Sequence, residues 1–128
     1  MGYYFNKTIS IPFDEAIEKV TEGLKQEGFG ILSDIDVKAT LKKKLDVDFK
    51  RYRILGACNP QFAYKALQAE DKIGTMLPCN VIVQELMGGE VEVAAIDPEA
   101  SMQAVQNPNL KEIAEQVQAK LKRVIEKL

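Results

Sequence analysis

Histidine is absent from the 128-residue chain, and so is tryptophan. Without an imidazole the chain has no base for a Ser–His–Asp triad and no His ligand for a metal. Cysteine occurs only twice, as Cys58 and Cys79, which is too few for a disulfide scaffold and lacks the Cys-x-x-Cys spacing of a redox motif. No apolar run approaches the roughly 18 residues a bilayer-spanning helix needs. The opening residues Met1-Gly2-Tyr3-Tyr4-Phe5-Asn6-Lys7 alternate like a strand, unlike a signal peptide. Asn6 stands where an acylation site needs Ser or Thr. The loop from Asp71 to Pro78 holds Gly74 but not the glycine spacing of a phosphate cradle.

What is present is ordinary for a folded domain: 46% apolar and 28% charged residues. A chain of this length forms one domain and buries about two-thirds of the surface its unfolded form exposes. The net charge of −2 gives no overall attraction to nucleic acid or anionic lipid, so neither is an expected partner. Few, unpaired thiols suit a reducing compartment, and a cytoplasmic location is expected. Charge is uneven, however. From Lys38 to Arg53 seven cations face two carboxylates, a net +5 that leaves −7 elsewhere. A solvated helix and strand face explains this more simply than an anion site does.

Apolar spacing predicts the elements. Tyr3 to Ile9 reads as a strand, with Ser10 as helix cap and Pro12 in the first turn. Phe13, Ala16, Ile17, Val20 and Leu24 then fall on one helical face, and Gly28 stops the helix in a left-handed conformation. Gly30 to Val37 alternates as a half-buried strand, with Ile31, Ser33, Ile35 and Val37 inward. Lys38 to Leu45 is a short basic helix, Phe49 to Ala57 a strand, and Asn59-Pro60 opens a further helix. Asn80–Met87 and Glu90–Ile96 flank Gly88-Gly89 as a hairpin. A two-residue turn there sets Leu86 against Val91, Gln84 against Val93 and Ile82 against Ala95, with Glu85 facing Glu92. Like charges so placed call for a nearby cation, and Arg51 and Arg53 on an adjoining strand are the expected source. Asn107-Pro108 starts a last helix with Leu110, Ile113, Ala114, Val117, Leu121, Val124 and Leu128 as its apolar stripe. The expected fold is α+β: a two-layer α/β sandwich of about five strands in a mixed sheet.

Chemistry-bearing residues are few. Cys58 ends a strand at the mouth of a helix, where unsatisfied N–H groups favour thiolate. Cys79 begins another strand, and each cysteine is followed by Asn. The pair could be buried apolar residues, a thiol redox or covalent pair, or two ligands of a metal or haem iron that needs further donors. Asn59 suits a helix cap, Asn80 a turn after Pro78, and either amide could instead line a pocket. Glu85 is a general acid or base only if buried.

The run Ile54-Leu55-Gly56-Ala57-Cys58-Asn59-Pro60, then Gly74, Leu77-Pro78-Cys79-Asn80-Val81 and Glu85, resembles the DUF302 family of small bacterial and archaeal domains of unknown function. Phe13-Asp14-Glu15-Ala16, Gly28-Phe29-Gly30 and Asp34-Ile35-Asp36 extend the resemblance over nearly the whole chain. It implies a compact, self-associating α+β domain and no stated activity. If the shared motifs mark a site, its residues here are Cys58, Asn59, Cys79, Asn80 and Glu85. The expected function is a small-ligand-binding or interaction module, a homodimer, with no cofactor or metal assigned. The alternative is a thiol-dependent redox enzyme or sensor using Cys58 and Cys79, or a thiolate metal or haem site.

Overall fold

The computed structural model describes residues 2–128. The elements follow as β1 (Tyr4–Ile9), α1 (Phe13–Gln26), β2 (Gly30–Asp36), α2 (Val37–Leu45), β3 (Tyr52–Cys58), α3 (Pro60–Ala69), β4 (Cys79–Glu85), β5 (Val91–Ile96), α4 (Pro98–Ser101) and α5 (Lys111–Glu126). A 3-10 segment, Asp71–Met76, links α3 to β4, and a second, Pro108–Leu110, runs into α5. The five strands form one sheet in the order β1-β5-β4-β3-β2.

Every neighbouring pair is antiparallel, which corrects the mixed sheet expected from the sequence. Parallel neighbours need a crossover laid over a sheet face. The helix α2 packs chiefly on β2 and β3 and buries none of its residues, so it serves as a long hairpin connection between them. Only α1 crosses, carrying the chain from one edge strand to the other.

The core lies between one face of the sheet and the pair α1 and α5. Phe13, Ala16, Val20 and Leu24 are the buried face of α1, and Ala114, Val117, Leu121, Val124 and Ile125 that of α5. Both follow the predicted spacing, except that Ile17, Ile113 and Leu128 are only half-buried and Ile125 joins the buried face. At the end of α1 Gly28 takes φ +88°, as a left-handed stop requires. Ser10 does not cap α1: Pro12 holds the cap position without a side-chain bond, and Asp14 and Glu15 complement the helix dipole instead.

Two strand expectations are corrected. Leu32 is an extra residue between the paired Ile31 and Ser33, a bulge that breaks the expected alternation of β2. On this edge strand Ile31 alone is half-buried, and Leu32 is 70% exposed. The hairpin loop has three residues, Met87-Gly88-Gly89. Leu86 N–H donates to Glu90 O at 2.8 Å and Gly89 N–H to Leu86 O at 3.0 Å, with Gly89 at φ +89°. The added loop residue moves the register by one. Val81 and Val83 now face Ala95 and Val93, and all four are fully buried. The two-residue turn would have put Gln84 on that face, because a one-residue slip exchanges the faces of a strand.

Glu85 therefore faces Val91, and Glu92 faces Gln84. The strand β3 does adjoin the hairpin, but Arg53 and the preceding Arg51 serve others. Arg53 grips Asp34 with two hydrogen bonds, and Arg51 lies over the Phe13 ring at 5.7 Å from its centroid. Among the described residues neither makes an ion pair with Glu85.

Candidate functional site

The end of β3 and the start of β4 lie side by side, Ala57 paired with Cys79. They open into a cavity of about 310 Å³. Ala57 and Cys58 wall it from β3, and Pro78 and Cys79 from the start of β4. The helix α3 contributes Phe62, Ala63, Ala66 and Leu67, and α5 contributes Ile113, Ala114 and Val117. Phe29, Asn59 and Met102 are among the other lining residues, and the exposed lining is almost wholly hydrocarbon and sulfur.

Register explains the placement of Cys79. Cys79 pairs with Ala57, whose side chain is on the core face, so Cys79 points inward with it. Cys58 is the last residue of β3, pairs with Gly30, and also lines the cavity. Both are free thiols. Burial, and secondarily the neighbouring Cys58, push the Cys79 thiol up to about 11, so it is a neutral S–H at physiological pH.

Asn59 occupies the cap position of α3 but its side chain makes no cap bond. Its Nδ2 donates instead to Glu27 O at 3.3 Å, tying the start of α3 to the end of α1. A Cβ at Gly28 would lie 3.0 Å from that same Nδ2, so a side chain there would crowd the amide as well as strain the φ of +88°. The wall that carries Cys58 and Asn59 is thus fixed to the α1–β2 turn. Glu27 is held in turn by Arg123 of α5, whose hydrogen bond keeps its carboxyl below the ordinary value against the opposing effect of burial.

Of the five residues picked from the sequence, the structure brings Cys58, Asn59 and Cys79 to one cavity. Asn80 follows Cys79 in the strand and so faces the other side of the sheet, where it lines a different concavity. Glu85 closes the far end of β4, where its N–H donates to Arg51 O at 2.9 Å. The sequence reading missed the apolar wall from α3 and α5. Its signal is the helical spacing of Phe62, Ala63, Ala66 and Leu67 on α3, facing Ala114 and Val117 of α5. Among the described residues no group of three or more Asp, Glu and Cys side chains is placed to hold a metal ion.

Comparison with known proteins agrees with this architecture. Residues 5–128 match the family model described as "Domain of unknown function DUF302". The chain is similar to the crystal structure of an uncharacterized conserved DUF302 protein from Bacillus stearothermophilus, at 32% identity and a TM-score of 0.88. That similarity covers 96% of this chain and 95% of the other. No curated protein matches.

Proposed function

The chain belongs to the DUF302 family, a domain of unknown function, and we propose that in this member the domain binds a small apolar molecule in the cavity walled by Cys58, Asn59 and Cys79. The observation that carries this reading is an apolar hollow of about 310 Å³, open to solvent at its mouth, beside a well-packed core. Protein interiors are close-packed, and a dry hydrocarbon cavity of about 150 Å³ already suffices to hold benzene. Lining this free of charge selects for hydrophobic shape, with the two thiols as soft, polarizable contacts.

Exposed Leu32 and Leu67 stand at the rim of this cavity, 70% and 45% exposed. The expected homodimer belongs to the same reading: a second copy seated on this apolar rim would close the mouth. Sedimentation of the native protein reads the mass, and a strictly monomeric chain removes the dimer without touching the cavity.

The test is to fill the cavity. Ala63 on α3 lines it, whereas the adjacent Tyr64 points to solvent. Titration with naphthalene or indole, followed by the rise in Tm, is expected to give stabilisation that grows with the logarithm of ligand concentration and reaches about 2.7 kcal/mol at a hundredfold excess over Kd. Ala63→Phe is expected to abolish that rise while leaving the far-UV spectrum unchanged, and Tyr64→Gln to leave it intact. Equal stabilisation of wild type and Ala63→Phe removes the proposal.

A further inference from the structure

On the face of the sheet away from α1 and α5, the other sides of β4 and β5 line a concavity of about 390 Å³ that, unlike the first, holds a charged side chain. Glu92 sits in it, half-buried on the second strand from the edge. Its carboxylate accepts from two neutral amides: Asn6 Nδ2 at 2.8 Å and Gln84 Nε2 at 2.7 Å. Among the described residues no lysine or arginine lies within ion-pair distance of it. A half-buried, unneutralised negative charge on a sheet face is a costly arrangement unless something cationic visits.

Gln84 adds a second sign. Its Nε2 must face Glu92, because turning the amide would oppose two acceptors. The Gln84 carbonyl Oε1 is then left buried with no hydrogen-bond donor, the one such side-chain atom among the described residues. An orphaned acceptor beside an unpaired carboxylate asks for a positive group that carries N–H.

Tyr3, Tyr4 and Tyr52 supply the remaining wall. Tyr3 and Tyr4 meet edge to face with ring centroids 5.1 Å apart. Tyr52 pairs directly with Gln84, which pairs directly with Glu92, so the three form one row across the sheet. Burial, then the charge of Glu92, then Tyr3 raise the Tyr52 phenol above its ordinary value, so it stays a neutral ring. Aromatic faces around a carboxylate are the chemistry that recognises organic ammonium ions.

We propose that this concavity is a binding site for a small organic ammonium ion with at least one N–H, its charge opposed by Glu92, its N–H accepted by the Gln84 carbonyl, and its carbon skeleton held among Tyr3, Tyr4 and Tyr52. A second copy of the chain is the less suitable occupant. A two-fold axis through this face would bring two Glu92 carboxylates together, and Lys50, whose Nζ lies 6.0 Å from the Tyr52 ring centroid, makes no ion pair with Glu92.

The absence of tryptophan makes the experiment direct, because emission comes from four tyrosines and three of them line the site. The native chain is titrated with benzylammonium chloride, with benzyl alcohol and tetramethylammonium chloride in parallel. Saturable change with benzylammonium, at least tenfold weaker for the other two, is expected. Glu92→Gln is expected to weaken benzylammonium at least tenfold, and Tyr52→Leu to weaken it severalfold, with Tm recorded for each. Should Glu92→Gln unfold the chain, Gln84→Leu removes the orphaned acceptor without altering the net charge, and is expected to erase the preference over tetramethylammonium. Equal binding of benzyl alcohol, or unchanged affinity in Glu92→Gln, overturns the site. A dimer that Glu92→Gln strengthens, with no benzylammonium binding, assigns the face to a second copy and overturns it as well.

Discussion

The thiol of Cys79 offers the sharpest quantitative test, since a redox or covalent role and a packing role predict opposite reactivity. With its thiol held up to about 11, the native state carries thiolate at Cys79 at ~1 part in 10,000 at pH 7, against ~3% for a free cysteine, a ratio of ~300. A more basic thiolate is a better nucleophile, and a Brønsted slope near 0.4–0.5 over ~2.5 pH units returns about tenfold. Cys79 is therefore expected to react with iodoacetamide at pH 7 ~30-fold more slowly than free cysteine, and restricted access lowers this further. The assay is mass-spectrometric quantification of carbamidomethyl-Cys79 against time, native and in urea. Its rate should climb close to tenfold per pH unit between pH 8 and 10. Because the folded thiol is weaker as an acid than the unfolded one, the native state is also destabilised as pH rises from about 9 through about 11. Labelling of native Cys79 at pH 7 as fast as free cysteine refutes this reasoning and restores the redox alternative.

Gly56 is wedged where a Cβ would strike Ser33 Oγ and come within 2.8 Å of the rigid Pro78 ring. Gly56→Ala is expected to cost about 1–3 kcal/mol in urea unfolding, and a loss under 0.5 would show that β2 gives way freely. Glu27, bonded to Arg123, has its carboxyl lowered in the folded state, so its contribution is present above pH ~4.5 and is lost as pH falls through the folded value. Glu27→Gln should accordingly flatten the acid limb of the stability–pH curve, and an unchanged limb counts against the pair. Gly89, at φ +89° in the hairpin loop, is expected to lose about 1 kcal/mol on change to Ala, read by thermal unfolding, whereas Gly30 has open space around it and tolerates Ala.

Elements set by local periodicity were legible. The spacing of α1 and α5 named their buried faces because a helix repeats its environment every 3.6 residues whatever it packs on. Sheet details were not legible, since they depend on non-local pairing. One extra loop residue before Glu90 moved the hairpin register, and with it Glu85 left the position opposite Glu92. The bulge at Leu32 likewise follows from pairing with β3, not from anything in the alternation of Ile31, Ser33 and Ile35. At the candidate site the chemical residues were visible as rare types, Cys58 and Cys79. Their surroundings were not, because Ala63, Ala66 and Ala114 look like ordinary core until the helices fail to fill the space between them.

The two Cys-Asn dipeptides illustrate how one motif acquires two meanings. Asn59 follows a residue that leaves the sheet, so Cys58 and Asn59 can both border the same cavity. Cys79 and Asn80 stay within β4, and the period of two sends one side chain to the apolar cavity and the other to the concavity that holds Glu92. A single strand thus separates two chemically opposite hollows by the thickness of its backbone. They share no side chain, and the rigid sheet between them offers no second arrangement by which one could report to the other. Substitutions on the two faces, such as Ala63→Phe and Glu92→Gln, should therefore combine additively in stability to within about 0.5 kcal/mol. A larger coupling in the double-mutant cycle would mean that β4 shifts as a unit, and that the two faces are parts of one site.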